Sequence, residues 1–414
     1  MIYANADLII RHARLRHAPE QLVDIAVRDG RISQIGPRLD QTAPHEIEAH
    51  GNLVTPSFVN PHMHLCKVWT LPMMSEEALL AYQTAGMSGA AAAIALASEV
   101  KKSYRASWIA KNARRAVALA ALYGTTHMRA FADVDSKAKL EAVKALLAVR
   151  DEFHGIVELQ VVAFAQDGIV KDPGTDRLMR QALELGADIV GGIPWIERTT
   201  DDMRTHVRFC FELAVEYGKD VSMLLDDSGD ANLRTLEMMA VEAIKRGWRG
   251  RALAHHCRAM AAYPAAHMRD LLKTLNDAGV SIVSNPHTGP LHAKIPELLA
   301  AGINVCLGQD DISDAYYPYG RNNMLEVAFL ASHLLWMMSR SDMETLYDMI
   351  TVNPAKALRI ATFGIAVGAP ANLVVLGQPD IADALRFHDR PRTVISHGSL
   401  VDLDRMAALA AATE

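Results

Sequence analysis

The residues able to do chemistry in this chain follow apolar runs. The first set lies in PSFVNPHMHLC at 56–66, where His62 and His64 sit two apart. Side chains i and i+2 of an extended segment point to one face, so two imidazoles at this spacing converge on one point past a strand end. That is metal-ligand geometry, although the same spacing also arises on plain surface strands. Later runs end in similar residues. His127 lies within the second, Gln166 and Asp167 follow the third, His255 and His256 the sixth, Asn285 and His287 the seventh, and Gln309, Asp310 and Asp311 the eighth.

The elements that must position them are eight unbroken apolar runs: 52–60, 125–131, 156–165, 188–193, 219–225, 251–256, 280–285 and 303–308. Amphipathic segments such as RASWIAKNARRAVALAALYG and DRLMRQALELGAD separate them. Strands buried on both faces read as continuous hydrophobic runs, and eight strand–helix units predict a (β/α)₈ TIM barrel, an α/β fold whose site lies at the C-terminal strand ends. All the polar residues above fall at that end. The stretch from 66 to about 105 is long for one connection and reads as a lid over the mouth. Residues 1–54 and 361–414 instead carry short alternating runs with DG and IG turns. They predict one small β domain, a sandwich built from both termini, flanking a barrel at 55–360.

The 414 residues are half hydrophobic and 22% charged, with 42 basic against 48 acidic side chains and a net charge of −6. A chain of this size builds its core without staples, and the charge is spread out rather than in runs, giving no reason to expect nucleic acid or an anionic membrane. Cys66, Cys210, Cys257 and Cys306 are widely spaced without a CxxC, as expected of reduced thiols in a cytoplasm. MIYANADLIIRHARL lacks the pattern of a signal peptide, and the longest apolar stretch, SGAAAAIALASEV, is too short to span a bilayer.

Several segments carry a resemblance beyond these patterns: PSFVNPHMH, GTTHMRAFADVDS, VVAFAQDGI, GGIPWIE, LAHHCRAM, SNPHTGP, GINVCLGQDDISDAYYPYGRNNML and GIAVGAPANLVVL. Over nearly its whole length the chain resembles the amidohydrolase superfamily, in particular its cytosine deaminase and N-isopropylammelide amidohydrolase-like family. The resemblance implies a metal-dependent hydrolase of a C–N bond in a small heterocycle. It implies one divalent ion, zinc or iron, held by His62, His64 and Asp310. It makes Asp310 also the group that takes a proton from water, and His256 the group that positions that water or polarises the attacked carbon. Gln166 would hydrogen-bond a pyrimidine-like ring, and Asp311, Tyr316 and Trp195 would lie on the substrate side. A homo-oligomer is expected by the same analogy.

One segment departs from the family. A metal-binding histidine on the fifth strand should be followed three residues later by a glutamate that protonates a ring nitrogen. DVSMLLDDSGD at 220–230 puts Leu224 and Asp227 in those places. Phe131 similarly stands where relatives often have a histidine. Leucine cannot donate electrons to a metal, so Leu224 becomes part of the substrate wall. Three protein ligands plus water remain a normal catalytic zinc set, which His256 could join. Asp226 is a poorer substitute, lying about 6.6 Å beyond Leu224 at the usual strand rise. Two readings stay open: a hydrolase whose more apolar pocket takes a substituted ring, or a barrel with a degenerate metal site acting as a metal-free lyase, isomerase or binding protein.

Overall fold

A computed structural model describes residues 6–74, 80, 94, 95 and 97–412. The N-terminal alternation folds as strands β1 (Leu8–Leu15), β2 (Ala18–Arg28), β3 (Arg31–Gly36), β4 (His45–Glu48) and β5 (Val54–Pro56). Asp29 and Gly30 both take positive φ, 51° and 74°, which lets a two-residue turn join β2 to β3 with the twist of the strands. The first sheet runs β3-β2-β1-β4. It is antiparallel as expected except at β4, which pairs parallel with β1.

Each of the eight unbroken runs becomes a barrel strand. They are β6 (Phe58–Met63), β7 (Thr125–Asp133), β8 (Glu158–Phe164), β9 (Ile189–Gly192), β10 (Asp220–Leu225), β11 (Ala252–His256), β12 (Ser281–Ser284) and β13 (Val305–Leu307). The seven pairings from β6 to β13 are parallel and follow chain order, so each strand neighbours the next. All nine residues of β7 are buried, which is why its run does not alternate. The ring closes between the first and last strands through a parallel bridge from Met63 to Asp310, with Asp310 N donating to His62 O at 2.9 Å and His64 N to Asp310 O at 2.9 Å.

Helices cover the outside, among them Ala106–Leu122, Thr175–Glu184, Thr200–Tyr217, Thr235–Lys245 and Ala265–Ala278. The Thr200–Tyr217 helix starts where Thr199 accepts from Asp202 N and stops at Gly218 with φ 67°.

After the barrel come β14 (Leu373–Val375), β15 (Thr393–Ser396) and β16 (Ser399–Leu400), which join β5 in a second sheet ordered β16-β15-β14-β5. Apolar residues of both sheets, including Ile10, Ile25, Val54, Leu373 and Ile395, share one buried cluster, so the two termini form a single sandwich. The last helix, Leu403–Ala411, leaves it and packs on the barrel helix Ala106–Leu122, with Met406 in the barrel core. Among the described residues no helix is long and apolar enough to cross a membrane.

The middle of the stretch expected to form a lid, 75–79, 81–93 and 96, lies outside the described residues. Its described flanks include short 3-10 turns at Leu71–Met73 and Ser98–Ser103. Lys101 ties the second flank to the barrel rim, donating to Asp135 Oδ2 at 2.6 Å and Asp167 Oδ1 at 2.5 Å.

Candidate functional site

The seam that closes the barrel also builds the site. Because β6 and the segment after β13 pair through Met63 and Asp310, the side chains of His62, His64 and Asp310 come together although 246 residues separate His64 from Asp310 in the chain. His62 Nε2 lies 3.0 Å from Asp310 Oδ1 and 3.2 Å from His64 Nε2, and His64 Nε2 lies 3.7 Å from Asp310 Oδ1. A tetrahedral ion with bonds of about 2.0–2.1 Å has ligand–ligand edges of roughly 3.3 Å, and these three separations bracket that length. His256 Nε2 stands 3.9 Å from the same carboxylate oxygen. Asp310 with His62 and His256, and Asp310 with His64 and Asp311, are each close enough to share a cation.

The protonation states suit that role. Burial holds His64 well below the usual imidazole range and His256 down to about 4, leaving both rings neutral. Burial works against the charge of Asp310, but the facing His256 and His62 hold its carboxyl well below the usual range. Neutral imidazoles around an ionised carboxylate are the donors a divalent cation takes.

Behind the ligands, His62 Nδ1 meets His255 Nδ1 at 2.7 Å, and His255 Nε2 meets Ser222 Oγ at 2.6 Å. If Nε2 of His62 is to coordinate, its Nδ1 carries the proton and donates to His255, whose own proton then faces Ser222. His255, out of phase with His256 on the strand, would therefore fix the tautomer and orientation of His62. Phe131 lies 4.7 Å from the His62 ring and 5.2 Å from the His64 ring, packing the imidazoles in place.

In front of these residues a cavity is lined by His64, Lys67, Gln166, Leu224, Asp227 and His256, with Ile94, Ile193, Arg258, Thr288, Asp310, Asp311 and Tyr316 completing it. Leu224, which stands where the family resemblance leads one to expect a histidine, thus faces the site. Trp195 does not line this cavity; it packs beside Leu224 and Ile193 in the apolar cluster. Asp226 points elsewhere: with φ 46° it turns away from the strand direction, and its carboxylate accepts from Thr235 N, Thr235 Oγ1, Leu236 N and Tyr263 OH. It caps the helix Thr235–Lys245 and is no ligand.

Lys67 Nζ donates to Gln166 Oε1 at 2.5 Å and stands 3.6 Å from Asp133 Oδ1. With Oε1 taken, the Gln166 amide N–H groups are left to donate to whatever enters. Burial and the neighbouring Asp310 and Asp314 push the Asp311 carboxyl well above the usual range, so it keeps a proton. Its Oδ1 has no hydrogen-bond partner among the described residues. Asp227 Oδ1 accepts from Arg258 Nη1 at 2.6 Å, while its Oδ2 lies 3.9 Å from His256 Nε2.

Sequence reasoning missed Lys67, Arg258 and Thr288. Arg258 also lies two residues past a histidine, His256, but the chain leaves the strand there through left-handed His256 and Cys257, so the spacing rule for an extended segment could not place it. Lys67 and Thr288 had no such mark.

Residues 45–402 match the amidohydrolase family. The chain is 31% identical over 401 residues to N-isopropylammelide isopropyl amidohydrolase of Pseudomonas sp. (strain ADP), covering 97% of this chain and 98% of that one. It is 26% identical over 404 residues to pterin deaminase of Rhizobium rhizogenes, covering 92% and 87%. The crystal structure of 5-methylcytosine deaminase from Klebsiella pneumoniae liganded with 5-fluorocytosine superposes with a TM-score of 0.87 at 33% identity, covering 95% of this chain and 97% of that one.

Proposed function

The chain belongs to the amidohydrolase family, and on that premise we propose that it is a metal-dependent hydrolase of a C–N bond in a small nitrogen heterocycle. The convergence of His62, His64 and Asp310 at the barrel seam carries this reading. His62, His64 and Asp310 would hold a divalent cation, zinc or iron, which would supply Lewis acidity and a water of lowered pKa.

The chain's own residues account for the remaining steps. Asp310 accepts a proton from the attacking water and passes it to the departing nitrogen. Asn285 Nδ2 faces His256 Nδ1 at 3.4 Å, a pairing that puts the ring proton on Nε2, where it steadies the oxygen that develops charge. That leaves three protein ligands and an open position, the usual catalytic count. Asp227 handles the ring nitrogen proton through Oδ2, the oxygen 3.9 Å from His256 Nε2, while Oδ1 accepts from Arg258. Gln166 and Asp311 donate to acceptors on the ring.

The apolar wall of Ile94, Ile193 and Leu224 favours a substituted ring, or an alkylamine over ammonia as leaving group. The relatives act, by their names, on isopropylammelide, methylcytosine and pterin. The test is release of ammonia or alkylamine from cytosine, 5-methylcytosine and N-alkylated triazines by zinc- or iron-loaded protein. We expect release that stops with a chelator. Release indifferent to chelation would support the metal-free reading instead.

A further inference from the structure

We propose that Arg258 is a positioning residue whose guanidinium fork ties together the two carboxylates that move protons. This rests on the hydrolase reading above. Arg258 Nη1 donates to Asp227 Oδ1 at 2.6 Å and Nη2 to Thr288 Oγ1 at 2.6 Å; Thr288 Oγ1 then reaches Asp310 Oδ2 at 2.8 Å. A threonine hydroxyl has one proton, and by accepting from Arg258 it keeps that proton for an acceptor, Asp310 or the Asn285 carbonyl at 3.0 Å. The result is a hydrogen-bonded chain Asp227–Arg258–Thr288–Asp310.

The backbone is shaped for this clamp. After β11 two non-glycine residues in succession, His256 at φ 65° and Cys257 at φ 52°, sit in the left-handed region, a costly arrangement of the kind found at functional sites. The turn brings both His256 and Arg258 to line one cavity. Across from it, a Cβ at Gly289 would lie 3.2 Å from Arg258 Cζ, so the loop after β12 leaves a flat slot for the guanidinium. A buried Arg is tolerated only when paired, and here the pairs include Asp227, Thr288 Oγ1 and, at 3.4 Å, the Asn285 carbonyl. Only a fork reaches both: lysine is a point donor and would satisfy one arm. The clamp also explains how an aspartate works in the place of a glutamate. Arg258 pins Oδ1 and leaves Oδ2 on the His256 side.

The first test is cobalt(II) titration of wild type, Thr288→Val, Arg258→Gln and the double variant. Loss of outer support costs metal sites about 10- to 100-fold in affinity, so each single variant should weaken binding by that factor. The double variant should weaken no further than the worse single, because both act in one chain. Arg258→Lys should match the Gln variant in affinity and provides a second probe if Gln fails to fold. The second test uses metal-free protein. Asp227→Asn should lower Tm in wild type and in Arg258→Lys, but much less in Arg258→Gln. Wild-type cobalt affinity in Arg258→Gln, or additive Tm shifts, would overturn the proposal. A wild-type chain that takes up no cobalt would defeat the hydrolase reading and the Asp310 arm, while the melting cycle still decides the Asp227 arm.

Discussion

Asp227 and Leu224 define what is particular about this site. Leu224 puts a hydrocarbon where the family has a donor, and it faces the cavity together with Ile94 and Ile193. Asp227 is one methylene shorter than the family's glutamate and is pinned by Arg258. Asp227→Asn keeps size and hydrogen bonding but cannot transfer a proton. It should lower turnover by roughly 10²- to 10⁴-fold while metal content stays normal, measured as kcat beside metal analysis. Near wild-type turnover would remove Asp227 from the proton path. The residue types and their HxH and QDD spacing made the convergence of His62, His64 and Asp310 legible in the sequence. Lys67 and Thr288 were not, because a lysine or threonine becomes functional only through a neighbour brought in by folding, here Gln166 and Asp310.

The end of β10 shows how one element gives adjacent carboxylates opposite tasks. Asp226 and Asp227 are neighbours in sequence, yet the left-handed turn at Asp226 sends its side chain back to the helix Thr235–Lys245 and leaves Asp227 facing the cavity. Periodicity alone could not assign these roles, since a strand pattern extended past Leu225 would place Asp226 with Leu224. Asp226→Ala should destabilise the fold by about 1–3 kcal/mol, the cost of stranding several buried donors, without changing metal content. Urea unfolding and metal analysis of the same variant check both halves. Metal loss in the folded variant would show that Asp226 reaches the ion after all. The barrel strands themselves were legible because burial on both faces makes their runs continuous; the sandwich was legible as alternation at both ends. The parallel pairing of β4 and the docking of the last helix on Ala106–Leu122 were not, since each depends on contacts between distant segments.

At the scale of the whole molecule, closing the barrel and assembling the site are one event, because the β6–β13 seam carries the proposed ligands on both sides. The fold also buries several neutral histidines. His127, expected with the other polar residues at the C-terminal strand ends, instead lies near the start of β7; it is held down to about 4 by burial and by His397, against about 6.5 in an unfolded chain. Between these values the unfolded state binds a proton that the folded state does not, so stability falls as pH drops from about 6.5 toward 4. His127→Gln should reduce the proton uptake on unfolding near pH 5, read from the slope of Tm against pH, by up to about one proton. An unchanged slope would mean His127 titrates alike in both states. The central claim, that the seam holds a catalytic cation, is tested most directly by metal analysis of protein purified without added metal, wild type beside His62→Ala and Asp310→Ala. We predict about one divalent ion per wild-type chain and close to none in either variant, because three protein ligands leave no redundancy. Normal metal content in a folded variant, or a metal-free wild type that still hydrolyses its substrate, would contradict the account.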